Sequence, residues 1–243
     1  MIDSKVSGYS TFVHRAALLR PWAPDPVAEP WYTQAFVTQP VACGECYLRL
    51  KRLLDLAFVA AILLPTLVVL AICAVAVWVE SPGPIFFSQQ RTGRFGRRFK
   101  MYKLRTMVAN AEALKATYAH LNVLTPPDFK IPDDPRMTRV GRFLRRTSLD
   151  ELPQVFNILK GDMTLVGPRP TSFAAETYSP WMWERLTSVP GLTGLWQVIG
   201  RAELDFDERC RLDIFYVRHC SLRMDLAIMM RTFAAVAGGR GAS

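Results

Sequence analysis

From Leu56 to Val79 the chain carries no charged residue, and no other stretch limits its fold as severely. Wound as a helix, a run of that length reaches across the hydrocarbon of a bilayer. Two features argue against a plain crossing. Pro65 lies inside the run, where its missing N–H removes a backbone bond and its ring kinks a helix. Both flanks are basic, with Arg49, Lys51 and Arg52 before and Arg91, Arg94, Arg97, Arg98 and Lys100 after. Positively charged flanks stay on the cytoplasmic side, so both ends are expected there. A helix that enters, breaks near Pro65 and returns meets both conditions, with an ordinary single span as the alternative.

Half of the 243 residues are hydrophobic, yet the formal net charge is +9. That pairing points to a membrane surface or a phosphate-rich partner. Nucleic acid is the other reading of a basic chain, but zinc-finger, RNP and KH patterns are missing, so no nucleic-acid partner is expected. The five cysteines are too few and scattered for a disulfide framework, and Cys43-Gly-Glu-Cys46 is a lone CxxC without a second pair or nearby histidines for zinc. Three segments follow. Residues 1–47, with Pro21, Pro24, Pro26, Pro30 and Pro40, read as a variable, flexible extension lacking a secretory signal, with Trp22 and Trp31 suited to a membrane interface. Residues 48–80 form the membrane helix, and 81–243 the domain that carries the chemistry.

Within that domain, the stretch Thr147–Pro170 places Asp150 and Glu151 side by side at an expected helix start. Leu149, Leu152, Phe156 and Leu159 recur at helical spacing, and Lys160-Gly161 is a stop signal. Upstream, Arg136, Arg139, Arg142, Arg145 and Arg146 follow at roughly helical intervals; downstream, Arg169 sits between Pro168 and Pro170, which hold it extended. Two acids ringed by arginines fit a phosphorylated substrate. The plainer reading is a capping box in which Ser148 and Glu151 satisfy each other's backbone donors, although Pro153 weakens it.

The segments SLDELPQVFN, KGDMTLVGPRP, PGLTGLWQVIGR and SPGPIFFSQQRTGR…KLRTM, in this order, resemble the bacterial sugar transferase family, the small monotopic phosphoglycosyl transferases. The resemblance runs from about Leu50 to Ala242. It implies an α/β fold: a re-entrant membrane helix hairpin broken at Pro65, plus a compact, mostly helical catalytic domain lying at the interface. It implies transfer of a hexose 1-phosphate from a UDP-sugar to polyprenyl phosphate, with release of UMP. Asp150 is then the catalytic nucleophile and Glu151 a catalytic residue that holds Mg²⁺, while Arg145, Arg169, Lys103 and Arg105 bind substrate. Leu64 stands where the family commonly has Ser before the proline, so Thr66 would have to supply any hydroxyl at the break. The chain's ending looks most like the exopolysaccharide branch, which favours glucose or galactose. The expected location is the bacterial inner membrane, with the catalytic domain on the cytoplasmic face; a homo-oligomer is left open.

The rest of the chain is less specific. Ile85–Gln89 and Phe99–Leu104 are expected strands around a basic loop, Val108–Leu121 an alanine-rich helix, and 125–135 a loop. Pro190–Gln197, with Gly200 and Arg201, is a glycine-punctuated loop, and Phe206–Tyr216 and Leu222–Val236 are helices. The second has an apolar face of Leu222, Leu226, Met229, Met230 and Phe233, which could pack internally or lie in the membrane interface, internal or shared packing being expected. Asp205 and Asp207 form a DxD, the metal motif of a conventional nucleotide-sugar glycosyltransferase that would release UDP. No doubly wound nucleotide-binding pattern precedes it. A non-catalytic basic membrane scaffold is the third class, and no role is assigned to Asp213 or Asp225.

Overall fold

The computed structural model describes residues 44–123, 131–200 and 204–238. The N-terminal extension before residue 44, Cys43, most of the 125–135 loop and Arg201 lie outside them. The apolar run forms one helix, α1, Glu45–Glu80, which continues through Pro65. The expected two-helix hairpin therefore does not appear as a break in helical structure. Helices absorb a proline when neighbouring turns and packing satisfy the freed groups.

One stripe of α1 is buried along its length: Lys51, Asp55, Val59, Thr66, Leu70, Cys73 and Val77. The other faces leave Leu53, Leu64, Val68, Ile72, Val75 and Val79 exposed. Both ends of the stripe are tied to the globular part. Near the start, Lys51 Nζ lies 2.6 Å from Asp225 Oδ2. Asp55 accepts bonds from Thr164 Oγ1 at 2.5 Å and from the Leu165 amide at 3.2 Å. At the far end, the Glu80 carboxylate accepts the Arg139 and Val140 amides, each at 2.8 Å.

Strands β1 (Phe86–Thr92) and β2 (Arg98–Leu104) form an antiparallel hairpin pairing Phe87 with Lys103 and Arg91 with Phe99. Pairing runs further than expected and shrinks the basic loop to Gly93–Arg97. The expected helix over Val108–Leu121 is a series of turns ending in a 3₁₀ segment, Ala119–Leu121. Most of its side chains are exposed, so no packed face rewards an α-helix.

Helix α2 (Arg139–Arg146) starts on Thr138, whose side chain accepts the Gly141 amide at 2.9 Å. A Cβ at Gly141 would stand 1.9 Å from the Thr106 carbonyl oxygen, so only glycine lets α2 lie this close to the end of β2. A 3₁₀ segment, Leu149–Gln154, leads into α3 (Val155–Lys160), which Gly161 ends in the left-handed region as expected. Strands β3 (Thr164–Val166) and β4 (Gly191–Thr193) pair in parallel. Helices α4 (Leu195–Ile199), α5 (Phe206–His219) and α6 (Leu222–Ala237) complete the described chain. The fold thus mixes helices with two small sheets. Val59 of α1 shares the main core with Met101, Ile158, Leu195, Tyr216 and Ile228. A second cluster sets Leu70, Cys73 and Val77 against Leu104 and Leu144.

Candidate active site

Four pieces of chain converge on Asp150 and Glu151. The 3₁₀ segment supplies the two acids, β2 supplies Lys103, α2 supplies Arg145, and the chain after β3 supplies Arg169. Pro153 explains why the acids ride a 3₁₀ turn: it has no N–H to give an early α-helical bond. Ser148 makes no side-chain cap and sits at φ 59°, so the capping-box reading fails. A non-glycine residue held in the left-handed region is backbone strain of the kind that collects at functional sites. The expected helix start is therefore a 3₁₀ turn that runs on into α3.

Alternation along β2 places Met101 in the core and Lys103 on the same face at its edge. Lys103 Nζ lies 2.7 Å from Glu151 Oε1 and 3.7 Å from Asp150 Oδ2. Arg169 Nη2 reaches Glu151 Oε1 at 2.5 Å. The Arg169 carbonyl in turn accepts Arg185 Nη2 at 2.9 Å, and Arg185 is paired inside the fold with Asp213, its Nη2 at 2.5 Å from Oδ2. This network gives Asp213 a role the sequence left blank. Arg145 Nε donates to Thr106 Oγ1 at 3.1 Å. Arg105 is placed differently: Nη2 donates to the Ser81 carbonyl at the end of α1, while buried Nε and Nη1 have no partner among the described residues. Thus Lys103, Arg145 and Arg169 gather around the acids, and Arg105 does not bond to them.

The adjacent carboxylates are tuned in opposite directions. Asp150 is 6% exposed, and burial pushes its carboxyl above the usual carboxylate range, with Lys103 opposing the shift. Burial acts on Glu151 too, but Arg169 and Lys103 outweigh it and hold that carboxyl well below the usual range. Divergent environments for paired acids mark a division of roles. The pair also offers an all-oxygen donor set, which suits Mg²⁺ bound through one or two carboxylates and substrate phosphate. Among the described residues, no group of three or more His, Cys, Asp or Glu side chains comes together for a metal. The residues fit an ion completed by substrate oxygens rather than a fully protein-made cage.

The DxD is structural. Asp205 caps α5, accepting the Glu208 amide at 2.7 Å while Glu208 accepts the Asp205 amide. Asp225 is likewise engaged, bonded by Lys51, Tyr47 and Tyr216. In the sequence, Arg91 reads only as part of the basic flank after the apolar run. The alternation of β1 was the available signal, since Arg91 shares a face with Phe87, the partner of Lys103.

Residues 46–239 match the family described as bacterial sugar transferase. The chain is 48% identical over 162 residues to the galactosyl transferase CpsE of Streptococcus agalactiae, covering 66% of this chain and 36% of that protein. It is 48% identical over 165 residues to the undecaprenyl-phosphate galactose phosphotransferase of Salmonella typhimurium, covering 66% and 35%. The exopolysaccharide production protein ExoY of Rhizobium meliloti is 39% identical over 197 residues, 79% of this chain and 87% of ExoY. The chain spans about a third of the length of the first two. Matched over most of its length, the chain belongs to the bacterial sugar transferase family.

Proposed function

We propose that this protein transfers a hexose 1-phosphate, glucose or galactose, from a UDP-sugar to polyprenyl phosphate and releases UMP. The reaction would open exopolysaccharide or surface-glycan assembly at the cytoplasmic face of the inner membrane. The observation that carries this reading is the buried Asp150 carboxylate beside Lys103, with Arg145 and Arg169 adding positive charge around it. Names such as undecaprenyl-phosphate galactose phosphotransferase among the relatives support it.

A carboxylate can carry the transferred group and divide one hard transfer into two easier ones. An Asp150 oxygen attacks the sugar-bearing phosphorus. The bond from that phosphorus to the bridging oxygen breaks, and its electron pair leaves on UMP. A phosphate oxygen of the polyprenyl carrier then attacks the aspartyl phosphate, forming the sugar diphospholipid and restoring Asp150. Lys103, Arg145 and Arg169 offset charge on the phosphates, a stabilisation that grows in a water-poor site. Glu151 would hold Mg²⁺, which would neutralise further phosphate charge.

The membrane reading also draws on α1. If straight, the helix would be about 54 Å long, against roughly 30 Å of hydrocarbon. A polar domain packed on its stripe from Lys51 to Val77 favours a helix that dips in from one side, bent at Pro65, over one that crosses.

The test is purified protein with UDP-glucose or UDP-galactose and Mg²⁺, without lipid. About one equivalent of UMP and a sugar phosphate on Asp150 are expected. Asp150→Asn should abolish both. An adduct that survives Asp150→Asn, or UMP that appears only when the lipid is present, would sink the mechanism. Retained activity in Asp150→Asn would also favour a catalytic site elsewhere.

A further inference from the structure

Arg91 is a half-buried cation that the proposed chemistry above does not use. Its Nη2 donates to Gln89 Oε1 at 2.7 Å, while Nε is shut off from solvent with no partner among the described residues. No carboxylate lies within ion-pair distance of it there, although Glu151 acts on it from further off. Instead two more guanidinium groups, those of Arg169 and Arg98, act on it; burial first, then Arg169, pushes Arg91 down to about 10. Arg98 is committed to the backbone, donating to the carbonyls of Ser172, Phe173 and Gln90. Arg169 is committed to Glu151. Arg91 therefore brings positive charge and a spare donor to a place already in cation excess. A guanidinium whose buried Nε lacks a partner, set among like charges, is costly unless an anion completes the set.

Its position says which anion. The charges acting most on Asp150 are Lys103, Glu151, Arg145 and Arg169, while those acting on Arg91 are Arg169, Glu151 and Arg98. Arg169 and Glu151 are common to both, so Arg91 and Asp150 share these two neighbours. On the hairpin, Lys103 faces Phe87, and Arg91 lies four residues further along the same face. In a phosphoryl transfer, attacking and leaving oxygens stand roughly in line across the transferred phosphorus. A cation on the Lys103 face of the hairpin, four residues along from Phe87 and sharing Arg169 with the nucleophile, suits the leaving group.

We propose that Arg91 binds the phosphate of the departing nucleotide, acting on the UMP half of the donor and taking no part in transfer to the lipid. The inference rests on the ping-pong reading above. Arg91→Gln keeps a polar side chain and removes the charge. Its loss should weaken UMP inhibition and lower kcat/KM for UDP-galactose by about tenfold to a hundredfold, the scale of a charged hydrogen bond. Because the lipid meets only the aspartyl phosphate, kcat/KM for polyprenyl phosphate should stay within about twofold, which also shows that the variant is folded. Arg91→Lys should recover part of the UMP affinity. Unchanged UMP inhibition in Arg91→Gln, or an equal fall in kcat/KM for both substrates, would overturn this assignment alone. Failure of the wild-type protein to release UMP from UDP-galactose would overturn the functional reading first, and this inference with it.

Discussion

Glu151 is bonded by two cations at once, and each answers a different need. Lys103 is a point charge, whereas Arg169 presents a planar fork able to hold a carboxylate and a phosphate together. Arg169→Lys keeps the charge and loses the fork, so kcat/KM for the UDP-sugar should fall by at least about tenfold. Near-normal turnover would leave Arg169 a purely structural residue. Outside the site, Asp134 accepts three bonds from Arg136, from its amide, Nε and Nη2 at 3.0, 2.9 and 2.6 Å. The Arg136 side chain holds the Asp134 carboxyl below its ordinary value. A depressed carboxyl contributes stability above its unfolded value of about 4 and loses it as pH falls through the folded value. Asp134→Asn should therefore destabilise by about 2 kcal/mol at neutral pH, with the gap to wild type closing towards pH 3. A gap constant with pH would show that the charge is not what matters. Asp150, Glu151, Arg145 and Arg169 stand out in the sequence because charge of both signs is concentrated in short motifs, whereas Lys103 is expected only from the family resemblance. Arg105 stands apart from the acids, since β2 ends at Leu104 and strand alternation no longer aims its side chain.

Elements were readable where one face is packed and obscure where none is. The apolar run, both strands of the hairpin, α2 and the last two helices follow from periodicity and stop signals. The turns over Val108–Leu121 do not, because helix-forming residues without a buried face stay marginal. Helix α6 departs in another way. The face expected to pack internally is largely open, with Leu226, Met230 and Phe233 exposed while Met224 and Ile228 are buried. Phe233 lies beside Phe58 of α1, ring centres 6.4 Å apart, so this face continues the exposed apolar side of α1. An environment-sensitive fluorophore on a cysteine at Leu226 should shift to the blue in nanodiscs and be quenched by brominated lipid. The same label at Glu112, far out on the turns, should do neither. Equal solvent exposure of the two labels would remove α6 from the membrane surface.

At the scale of the whole molecule, one helix is both membrane element and part of the core, so topology and fold are the same question. The buried stripe meets the domain at both ends of α1, and both flanks are basic. Both termini are therefore expected in the cytoplasm. Cysteines placed at Lys5 and Gly239, in a background without the exposed Cys46 thiol, should resist a membrane-impermeant maleimide in intact cells and react after lysis. Labelling of either from outside would make α1 a crossing helix. The pairing of Lys51 with Asp225 has a further consequence, for the order of events during synthesis. The two residues are 174 apart in sequence, so α1 leaves the ribosome long before its ionic partner exists. At common elongation speeds the wait is on the order of ten seconds or more. Throughout it Lys51 lacks its ionic partner, while Thr164 and Leu165, the partners of Asp55, are made earlier. Insertion must therefore precede docking, and α6, made long after α1, is the helix that locks α1 in place.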